Sequence, residues 1–568
     1  GVSSCTCGMT KPGTGTLILQ GANTFLGPVF LTEGAFLVSG NTSGFTNVAP
    51  GVSTVSAGAS ILVEGSVLRG RPLILNGDGV GGLGAWRNLS GTNTQVGTIT
   101  LGSDTRIGSD SGLLTLSNTM FGTNFTLTVG GAGGVKLTAL ALGVDATIVK
   151  DGTGTLTLAG PSDHEDTIVQ SGQLNVNNVI ALGSSAGGTV TFGDGVRLDN
   201  TSGGGLSVAV PVDINVGSSL EFLGTYSLGM GTGTVNLGSP DTNGYTTFNV
   251  VNNLLAFNGQ VTGNSGIIKI GAGTLQLGYA GSNSFTGLTQ VNAGELFITG
   301  PGVSFTTNLW ANTGGIIRLG AGVSLPTNTV VLNGGQYIVS TLTPGDVVIA
   351  TNTILTPDAQ LWDGQITINP GVTVTNPGIT DLLGYTPTNF VSNRVVFKED
   401  SQLVVTDGFT IAPTKGLVLE TNTVTFQVNT NDLLVQSPIS GAGTLRKTGA
   451  GHIHLFATNT YSGGTYIEEG WVGILEDAAL GSGKVTLAGG VLEGGFEASP
   501  TNVLVTVESN RVVEMVKGTT SYMIGQVNTT LRYDGNIAQT GTNSAGANLV
   551  IGLPTVTGTV ELGGTNDY

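Results

Sequence analysis

The sequence predicts an all-β protein that folds as an elongated, right-handed parallel β-helix (β-solenoid). Glycine supplies 95 of the 568 residues and charged residues only 10%, and glycine disfavours a helix interior by roughly 1 kcal/mol relative to alanine. Stretches with the 3.6-residue apolar period of an amphipathic helix are missing from the sequence, so strands and tight turns remain. A block of similar sequence also returns along the chain, which is the signature of a repeat architecture.

Low charge and high glycine content also describe disordered chains, but the distribution of apolar residues argues against that alternative. Mean hydropathy is +0.26, and 39% of the residues are apolar. These residues fall in short alternating runs such as Thr16-Leu17-Ile18-Leu19 and Val485-Thr486-Leu487. Such runs can bury one face of a sheet. The chain is therefore expected to build a large hydrophobic core.

Each copy of the repeat begins with a lysine and two closely spaced glycines, continues as an alternating strand and closes with Gly-x-Leu or a similar run. An Asn-Thr-aromatic turn lies in the middle of the block. The copies lie near residues 11–38, 150–176, 269–298 and 447–475. Because four copies keep the same order of parts, the sequence indicates one elongated body in place of several ordinary domains.

One copy of the repeat accounts for about one winding of a solenoid. The paired glycines supply backbone positions with positive φ, and the alternating strand places leucine on one face and threonine on the other. One winding cannot bury its own apolar face, whereas windings stacked about 4.8 Å apart pair every strand with neighbours above and below. At about 22 residues per winding, roughly 25 windings and a rod on the order of 120 Å are expected.

The predicted organisation has three parts. Residues 1–365 form a β-solenoid with the first three copies of the repeat, and residues 401–568 continue it with the fourth copy. Residues 366–400 alternate poorly and contain three prolines, so an irregular loop or joint is expected there. The chain ends in the middle of a repeat, which indicates either a piece of a longer polypeptide or open ends that stack in a filament.

The Lys-x-Gly-x-Gly-Thr-Leu-x-Leu, Asn-Thr-aromatic and Gly-x-Leu parts of these blocks resemble the autotransporter-associated β-strand repeat. The resemblance implies a passenger or stalk region of a secreted or cell-surface protein from bacteria with outer membranes, with an extracellular location. It also implies a structural, adhesin-like role linked to adhesion, aggregation or biofilm, and the rod itself is expected to give reach and to allow self-association or filament formation.

Right-handed β-helices also occur among polysaccharide lyases and glycoside hydrolases, so a carbohydrate-active enzyme is the alternative. Glycoside hydrolysis needs two carboxylates that face one groove. The acidic residues of this chain are scattered, and no nucleophile with a paired base can be assembled from the sequence. No catalytic or cofactor-binding residue is therefore predicted, and a structural role is favoured.

Charge and hydropathy limit the partners. The formal net charge is −17, with 19 lysines and arginines and no basic cluster, so nucleic acid is not an expected partner. No apolar run reaches the roughly 18 residues that a transmembrane helix needs. The expected partners are further copies of the chain, end to end or side by side, and glycans or cell-surface receptors.

Two groups of residues are candidates for metal binding. The second copy of the repeat replaces the Asn-Thr-aromatic turn with an acidic one, in which Asp163, Glu165 and Asp166 are candidate oxygen ligands for Ca²⁺. A solvated turn without a metal is the favoured interpretation. His452 and His454 lie two apart on one predicted strand, so they point to the same face. The sequence offers them no third ligand at a recognisable spacing, and we interpret them as surface residues.

Cys5 and Cys7 are the two cysteines of the chain. A bridge between residues so close together would close a very small ring. We therefore expect free thiols or pairing with sulfur outside this sequence, and no framework of disulfides supports the fold.

Overall fold

The computed structural model describes residues 7–19, 27–39, 51–183, 187–279, 281, 283–300, 305, 307–323, 325, 328–378, 383–496 and 503–564. It is 51% strand and 2% helix and forms a parallel β-solenoid of about 23 turns. The predicted all-β parallel solenoid is thus confirmed. The chain divides into two compact units, one of residues 1–307 and 315–317, the other of residues 308–314 and 318–568.

The first unit consists of short strands joined by turns. Its strands, within the described residues, are β1 (Met9–Lys11), β2 (Thr16–Leu19), β3 (Val29–Leu31), β4 (Ala35–Ser39), β5 (Ser53–Val55), β6 (Ser60–Gly65), β7 (Leu68–Arg69), β8 (Leu73–Gly77), β9 (Trp86–Gln95), β10 (Ile99–Ser109), β11 (Leu113–Phe121), β12 (Thr126–Gly130), β13 (Gly134–Ala141), β14 (Thr147–Lys150), β15 (Thr155–Leu158), β16 (Asp166–Val169), β17 (Gln173–Val176), β18 (Thr189–Phe192), β19 (Val196–Asp199), β20 (Leu206–Ser207), β21 (Asp213–Val216), β22 (Ser219–Phe222), β23 (Leu228–Gly229), β24 (Val235–Leu237), β25 (Tyr245–Val250), β26 (Leu254–Phe257), β27 (Val261–Gly263), β28 (Gly266–Ile270), β29 (Thr274–Leu277), β30 (Thr289–Val291) and β31 (Gly294–Ile298).

The second unit repeats this construction, and one strand, β33, is divided between the units. Its strands, again within the described residues, are β32 (Leu309–Asn312), β33 (Gly315–Leu319), β34 (Val330–Asn333), β35 (Gln336–Val339), β36 (Val347–Ile349), β37 (Thr353–Ile354), β38 (Ile366–Ile368), β39 (Thr373–Asn376), β40 (Val391–Phe397), β41 (Gln402–Val405), β42 (Phe409–Ile411), β43 (Lys415–Leu419), β44 (Thr423–Val428), β45 (Asp432–Val435), β46 (Ile439–Ser440), β47 (Thr444–Thr448), β48 (His452–Leu455), β49 (Thr465–Ile467), β50 (Trp471–Ile474), β51 (Val485–Leu487), β52 (Val491–Gly494), β53 (Val503–Val507), β54 (Val513–Val516), β55 (Thr520–Gly525), β56 (Thr529–Tyr533), β57 (Ile537–Thr540), β58 (Asn548–Ile551) and β59 (Thr559–Leu562). Short 3₁₀ helices are formed by Val80–Gly82, Pro357–Leu361 and Asp477–Leu480.

The alternating strand of the repeat buries its aliphatic side chains in the interior of the solenoid. In the second copy, β15 pairs in parallel with β17, so that Leu156 lies beside Leu174 and Leu158 beside Val176. All four side chains are at most 1% exposed, while Thr155 and Thr157 face outwards with partial exposure. Successive windings therefore meet at apolar rows, as the period-2 pattern predicts.

Each copy of the repeat also carries a lysine that bonds to the turns of two windings. Within its own turn, Lys447 Nζ donates hydrogen bonds to the carbonyl oxygens of Thr448 at 2.8 Å and Gly449 at 2.5 Å. It donates a third bond to the carbonyl oxygen of Glu469 in the next winding, at 3.0 Å. We call this arrangement the lysine clamp. Lysines in the other copies donate to carbonyl oxygens of their own turn and of the next winding in the same way: Lys11, Lys150 and Lys269.

Three of these clamps are deeply buried. The residues are at most 1% exposed in these three copies: Lys150, Lys269 and Lys447. Burial lowers the pKa of Lys150 and Lys269 to about 8 and the pKa of Lys447 to about 7. Because an unpaired ammonium group is costly to bury, the three carbonyl acceptors are what make this position tolerable.

Glycine is required where the turns of successive windings stack. Gly470 has φ +70°, and a Cβ at this position would overlap the carbonyl oxygen of Gly449 in the winding before it. Gly294 in the third copy has φ +63° and meets the carbonyl oxygen of Gly271 in the same way. The left-handed conformation and the close backbone approach both exclude a side chain. The final Gly-x-Leu of the repeat is therefore a stacking position.

The segment expected to form an irregular joint, residues 366–400, contains β38, β39 and β40. β38 pairs in parallel with β36 and β40. The connection between β39 and β40 is long, and residues 379–382 within it lie outside the described residues. Lys415 Nζ donates to the carbonyl oxygen of Gly384 in this connection at 2.7 Å. The division between the two units falls earlier in the chain, near residues 307–318.

Cys7 is disulfide-bonded in the structure, so the expectation of a free thiol is wrong for this residue. Cys5 lies outside the described residues.

Candidate metal centre

The acidic turn of the second copy uses two of its carboxylates to hold neighbouring windings. Asp163 Oδ1 accepts hydrogen bonds from the backbone N–H groups of Leu142 at 2.6 Å and Gly143 at 3.1 Å. Asp166 Oδ1 accepts from the N–H and the hydroxyl of Thr189 at 2.9 and 2.8 Å. Glu165 lies between them and is half-buried. Asp163 bonds to the preceding winding and Asp166 to the following one, and Ca²⁺ binding by the three carboxylates stays a prediction.

His164 in the same turn takes the position of the aromatic residue. It is 1% exposed, it contacts the hydroxyl of Ser162, and its Nε2 lies 2.7 Å from the hydroxyl oxygen of Thr167. Tyr461 of the fourth copy has the matching contact, with its hydroxyl 2.6 Å from Thr465 Oγ1. Burial lowers the pKa of His164 to about 4. The imidazole is therefore neutral near pH 7 and acts as a core side chain.

The other two histidines lie on the outer face of the fourth copy. On β48 the side chains of Ile453 and Leu455 point into the solenoid, and His452 and His454 point outwards. The prediction that both rings share a face is confirmed by this alternation. The interpretation as surface residues is wrong for His454, which is only 5% exposed, because Phe496 packs against its ring with centroids 4.7 Å apart.

The preceding winding supplies an acidic residue to the two histidines. Parallel pairing of β45 with β48 sets Asp432 beside His452. Asp432 Oδ1 lies 3.5 Å from His452 Nδ1, and its Oδ2 lies 3.5 Å from His454 Nε2. The ligand atoms of the three residues all lie within 4.8 Å of one another, and within the described ranges this is the one group of three or more His, Cys, Asp or Glu residues with such an arrangement.

A second carboxylate faces His454 from the following windings. The register of β48, β50 and β52 aligns His454 with Gly473 and Gly473 with Glu493. A Cβ at Gly473 would lie 2.7 Å from His454 Nδ1 and 3.1 Å from Glu493 Oε2. Because glycine leaves this space open, the imidazole and the carboxylate both border it. Glu493 is fully buried and accepts a hydrogen bond from Gln526.

Aromatic side chains complete the surroundings of the cluster. The ring of His452 packs against Trp471 with centroids 4.8 Å apart and planes tilted by 32°, and Phe496 packs edge-on against Phe456 at 4.6 Å. An open pocket of about 430 Å³ is lined by these residues: Asp432, Leu434, His452, His454, Phe456, Phe496 and Gln526. The site therefore consists of one carboxylate and two imidazoles at the edge of an apolar wall.

Two imidazole nitrogens and one carboxylate oxygen are a donor set that suits zinc and other divalent transition metals. His452 and His454 are visible from the sequence because they alternate along one strand. Asp432, Gly473 and Glu493 were missed, since each lies one or more windings away along the chain. Writing the windings in parallel register, with Asn431-Asp432 above Gly451-His452, is the signal that identifies Asp432.

Among the residues that the structure describes, none of the helices has the length and apolar character of a membrane span. The described structure is a parallel β-solenoid in which each copy of the repeat carries a lysine clamp. Four segments match the family described as passenger-associated-transport-repeat, at residues 9–38, 148–176, 267–296 and 445–474. These are the four copies found in the sequence, and the predicted resemblance to an autotransporter passenger repeat protein is confirmed.

The chain is also similar to a curated relative, the adhesin BmaC autotransporter of Brucella suis biovar 1 (strain 1330). The two are 27% identical over 593 aligned positions, which cover 84% of this chain. The chain spans 16% of the length of that relative. No solved structure matches the chain.

Proposed function

We propose that the chain is a stalk segment of an adhesin-like autotransporter passenger, carried at the surface of a bacterium with an outer membrane. The observation that carries this proposal is the fourfold recurrence of the passenger repeat in a parallel solenoid. Each copy holds the next winding through a stacking glycine and a lysine, and this lysine is buried in three of the four copies. Such a design extends by adding windings, so it suits a segment whose task is reach.

The relative named as an adhesin supports the adhesin-like part of the proposal. Because this chain spans only 16% of that protein, the adhesive contact itself belongs to the proposal and to its test. Self-association of the solenoid, and binding to glycans or cell-surface receptors, stay predictions about its partners.

The carbohydrate-active alternative receives no support from the comparisons, since the matched repeat and the matched relative are both of the passenger class. The interior of the solenoid is filled by aliphatic and aromatic side chains. A groove with two facing carboxylates is what a glycoside hydrolase needs. Release of oligosaccharides from polysaccharides is therefore measured in the experiment below, as the result that would favour this alternative.

The test is surface display of the full chain in a laboratory bacterium, fused to a transport domain. The control strain displays the transport domain alone. We expect external protease to remove the chain from intact cells, and we expect more displaying cells than control cells to be retained on cultured host cells and on matrix-coated surfaces. The purified chain, incubated with a panel of polysaccharides, should release no oligosaccharide.

Retention equal to that of the control strain, with the chain present at the surface, would contradict the adhesive role. Release of oligosaccharides would replace the proposal with the carbohydrate-active alternative. A chain that stays inaccessible to protease on intact cells would contradict the surface location.

A further inference from the structure

We propose that Asp432, His452 and His454 bind a divalent transition metal ion of the zinc class on the outer face of the fourth repeat. The inference goes beyond the stalk function and is independent of it. It starts from the convergence of three side chains from two windings. The sequence separates Asp432 from the histidines by a full winding, and the parallel register of β45 and β48 brings them together.

The two distances between Asp432 and the histidines agree with ligands of a single ion, and the ligand atoms of all three residues lie within 4.8 Å of one another. The carboxylate oxygens of Asp432 lie 3.5 Å from His452 Nδ1 and 3.5 Å from His454 Nε2. Two ligand atoms of a tetrahedral zinc ion, each bonded at about 2.1 Å, lie about 3.4 Å apart. An ion held by all three residues therefore requires side-chain rotations that bring the three ligand atoms from within 4.8 Å of one another to this spacing.

The types of donor select the class of metal. Imidazole nitrogen favours zinc, copper, nickel and cobalt, whereas calcium and magnesium prefer sites made of oxygen alone. Two histidines and one carboxylate give three protein ligands and leave a fourth position open. The three residues line one pocket with Phe456 and Phe496, and water from this pocket would fill the fourth position.

The environment of His454 matches that of a metal-bound histidine. A ligating imidazole usually directs its second ring nitrogen at a carboxylate or a carbonyl, which fixes the orientation of the ring. His454 directs Nε2 towards Asp432 and has Nδ1 beside the space shared with the carboxylate of Glu493. Glu493 is in turn hydrogen-bonded by Gln526. Glu493 is therefore a positioning residue for the proposed site.

The experiment uses the full chain, treated with a chelator and then dialysed, and titrates it with ZnCl₂ by calorimetry. We expect one ion per chain, and thermal unfolding that shifts to higher temperature with Zn²⁺, because an ion that binds only the folded state stabilises it. His452→Gln and Asp432→Asn should each weaken Zn²⁺ binding by at least about tenfold. Asp358→Asn is the matched control, since it removes a carboxylate of the same unit outside the site, and it should leave binding unchanged.

A second readout reports the location of the ion directly. Because the ring centroids of His452 and Trp471 lie 4.8 Å apart, Cu²⁺ at the site should quench the fluorescence of this tryptophan. The quenching should saturate with one ion per chain, should be displaced by Zn²⁺ and should be lost in Trp471→Phe. His452 and Asp432 are partly exposed, so the variants at these positions are expected to fold. An unfolding temperature equal to that of the metal-free native chain shows that a variant is folded before its metal binding is compared.

The proposal is overturned if the chain does not bind Zn²⁺ more tightly than Asp432→Asn and His452→Gln do. It is also overturned if a saturating concentration of Cu²⁺ leaves the fluorescence of Trp471 unchanged. Cys7 is disulfide-bonded and His164 is buried, so neither competes for the ion in this measurement.

Discussion

The third and fourth copies of the repeat share one framework but differ on their outer face. In both copies a fully buried lysine donates three hydrogen bonds to turn carbonyls. In both, a glycine with positive φ stacks on the preceding turn. The residues that join one winding to the next are therefore the same in the two units.

The outward positions of the same strands carry different chemistry. In the third copy, Gln276 Nε2 donates to Asn258 Oδ1 at 3.1 Å, and Leu254 stands beside Thr274. In the fourth copy, the corresponding positions of the alternating strand are His452 and His454. The comparison teaches that the framework fixes the fold, while the outer face of each copy can change without altering the windings.

The largest expected effect comes from the stacking glycine. Gly470→Ala adds a Cβ against the carbonyl oxygen of Gly449 and requires a left-handed backbone, so we expect the free energy of unfolding to fall by about 4 kcal/mol. Gly294→Ala should cost a similar amount if the two copies share a framework. Denaturant unfolding monitored by far-UV circular dichroism measures both changes.

Gly371→Ala is the matched control for the glycine variants. Gly371 has φ +69°, but a Cβ there would meet no atom within 4 Å. It should cost only about 1 kcal/mol, from backbone strain alone. Equal losses at Gly371 and Gly470 would mean that stacking contributes nothing.

The second copy allows the aromatic position to be tested by pH. Burial lowers the pKa of His164 to about 4, below the value of about 6.5 expected in the unfolded chain. Between about pH 6.5 and pH 4, the unfolded chain therefore binds a proton on this histidine that the folded chain does not. The free energy of unfolding keeps its full value above about pH 6.5 and decreases as the pH falls towards 4. The loss should amount to about 3 kcal/mol. Denaturant unfolding at a series of pH values should show that the free energy of unfolding decreases less on acidification in His164→Phe than in the native chain. An equal decrease in both proteins would contradict the buried, neutral state of His164.

The lysine clamp should matter to a similar extent in both copies. Lys269→Met and Lys447→Met each leave buried turn carbonyls without a donor, and we expect each to lower the free energy of unfolding by about 2 kcal/mol at neutral pH. Lys398→Met removes a partly exposed ion pair with Glu420 and should change stability by less than about 1 kcal/mol. Clamp variants that behave like Lys398→Met would show that these hydrogen bonds do not hold the windings.

The smallest effect is expected on the outer face. His452→Thr gives the fourth copy the residue that the third copy has at this position, Thr274, and should change stability by less than about 1 kcal/mol in the absence of metal. The same variant should abolish the proposed metal binding. A large loss of stability without metal, measured by thermal unfolding after chelation, would contradict the separation of framework and outer face.

The fold was predictable from sequence because its determinants are local and repeated. The alternation in Thr155-Leu156-Thr157-Leu158 and the four-fold recurrence of the block were enough for a parallel solenoid. The lysine of the repeat was visible as part of the motif, but its three acceptors are backbone carbonyls, which no side-chain pattern reveals.

The candidate site was predictable only in part. The two histidines were found on one face because a strand has a period of two residues. Asp432 and Glu493 were not found, because their positions depend on the register between windings of unequal length. The burial of His454 depends on Phe496, whose place beside the ring follows from tertiary packing and not from local sequence.

The most direct test of the account is the register itself. In a background with Cys5→Ser and Cys7→Ser, the pair Thr423→Cys and Thr444→Cys places sulfurs on directly paired residues of neighbouring windings, about 4.8 Å apart and within reach of a disulfide. The pair Thr423→Cys and Arg446→Cys is offset by two residues, to about 8 Å. The account predicts rapid oxidative cross-linking of the first pair and little of the second, and faster cross-linking of the offset pair would contradict it.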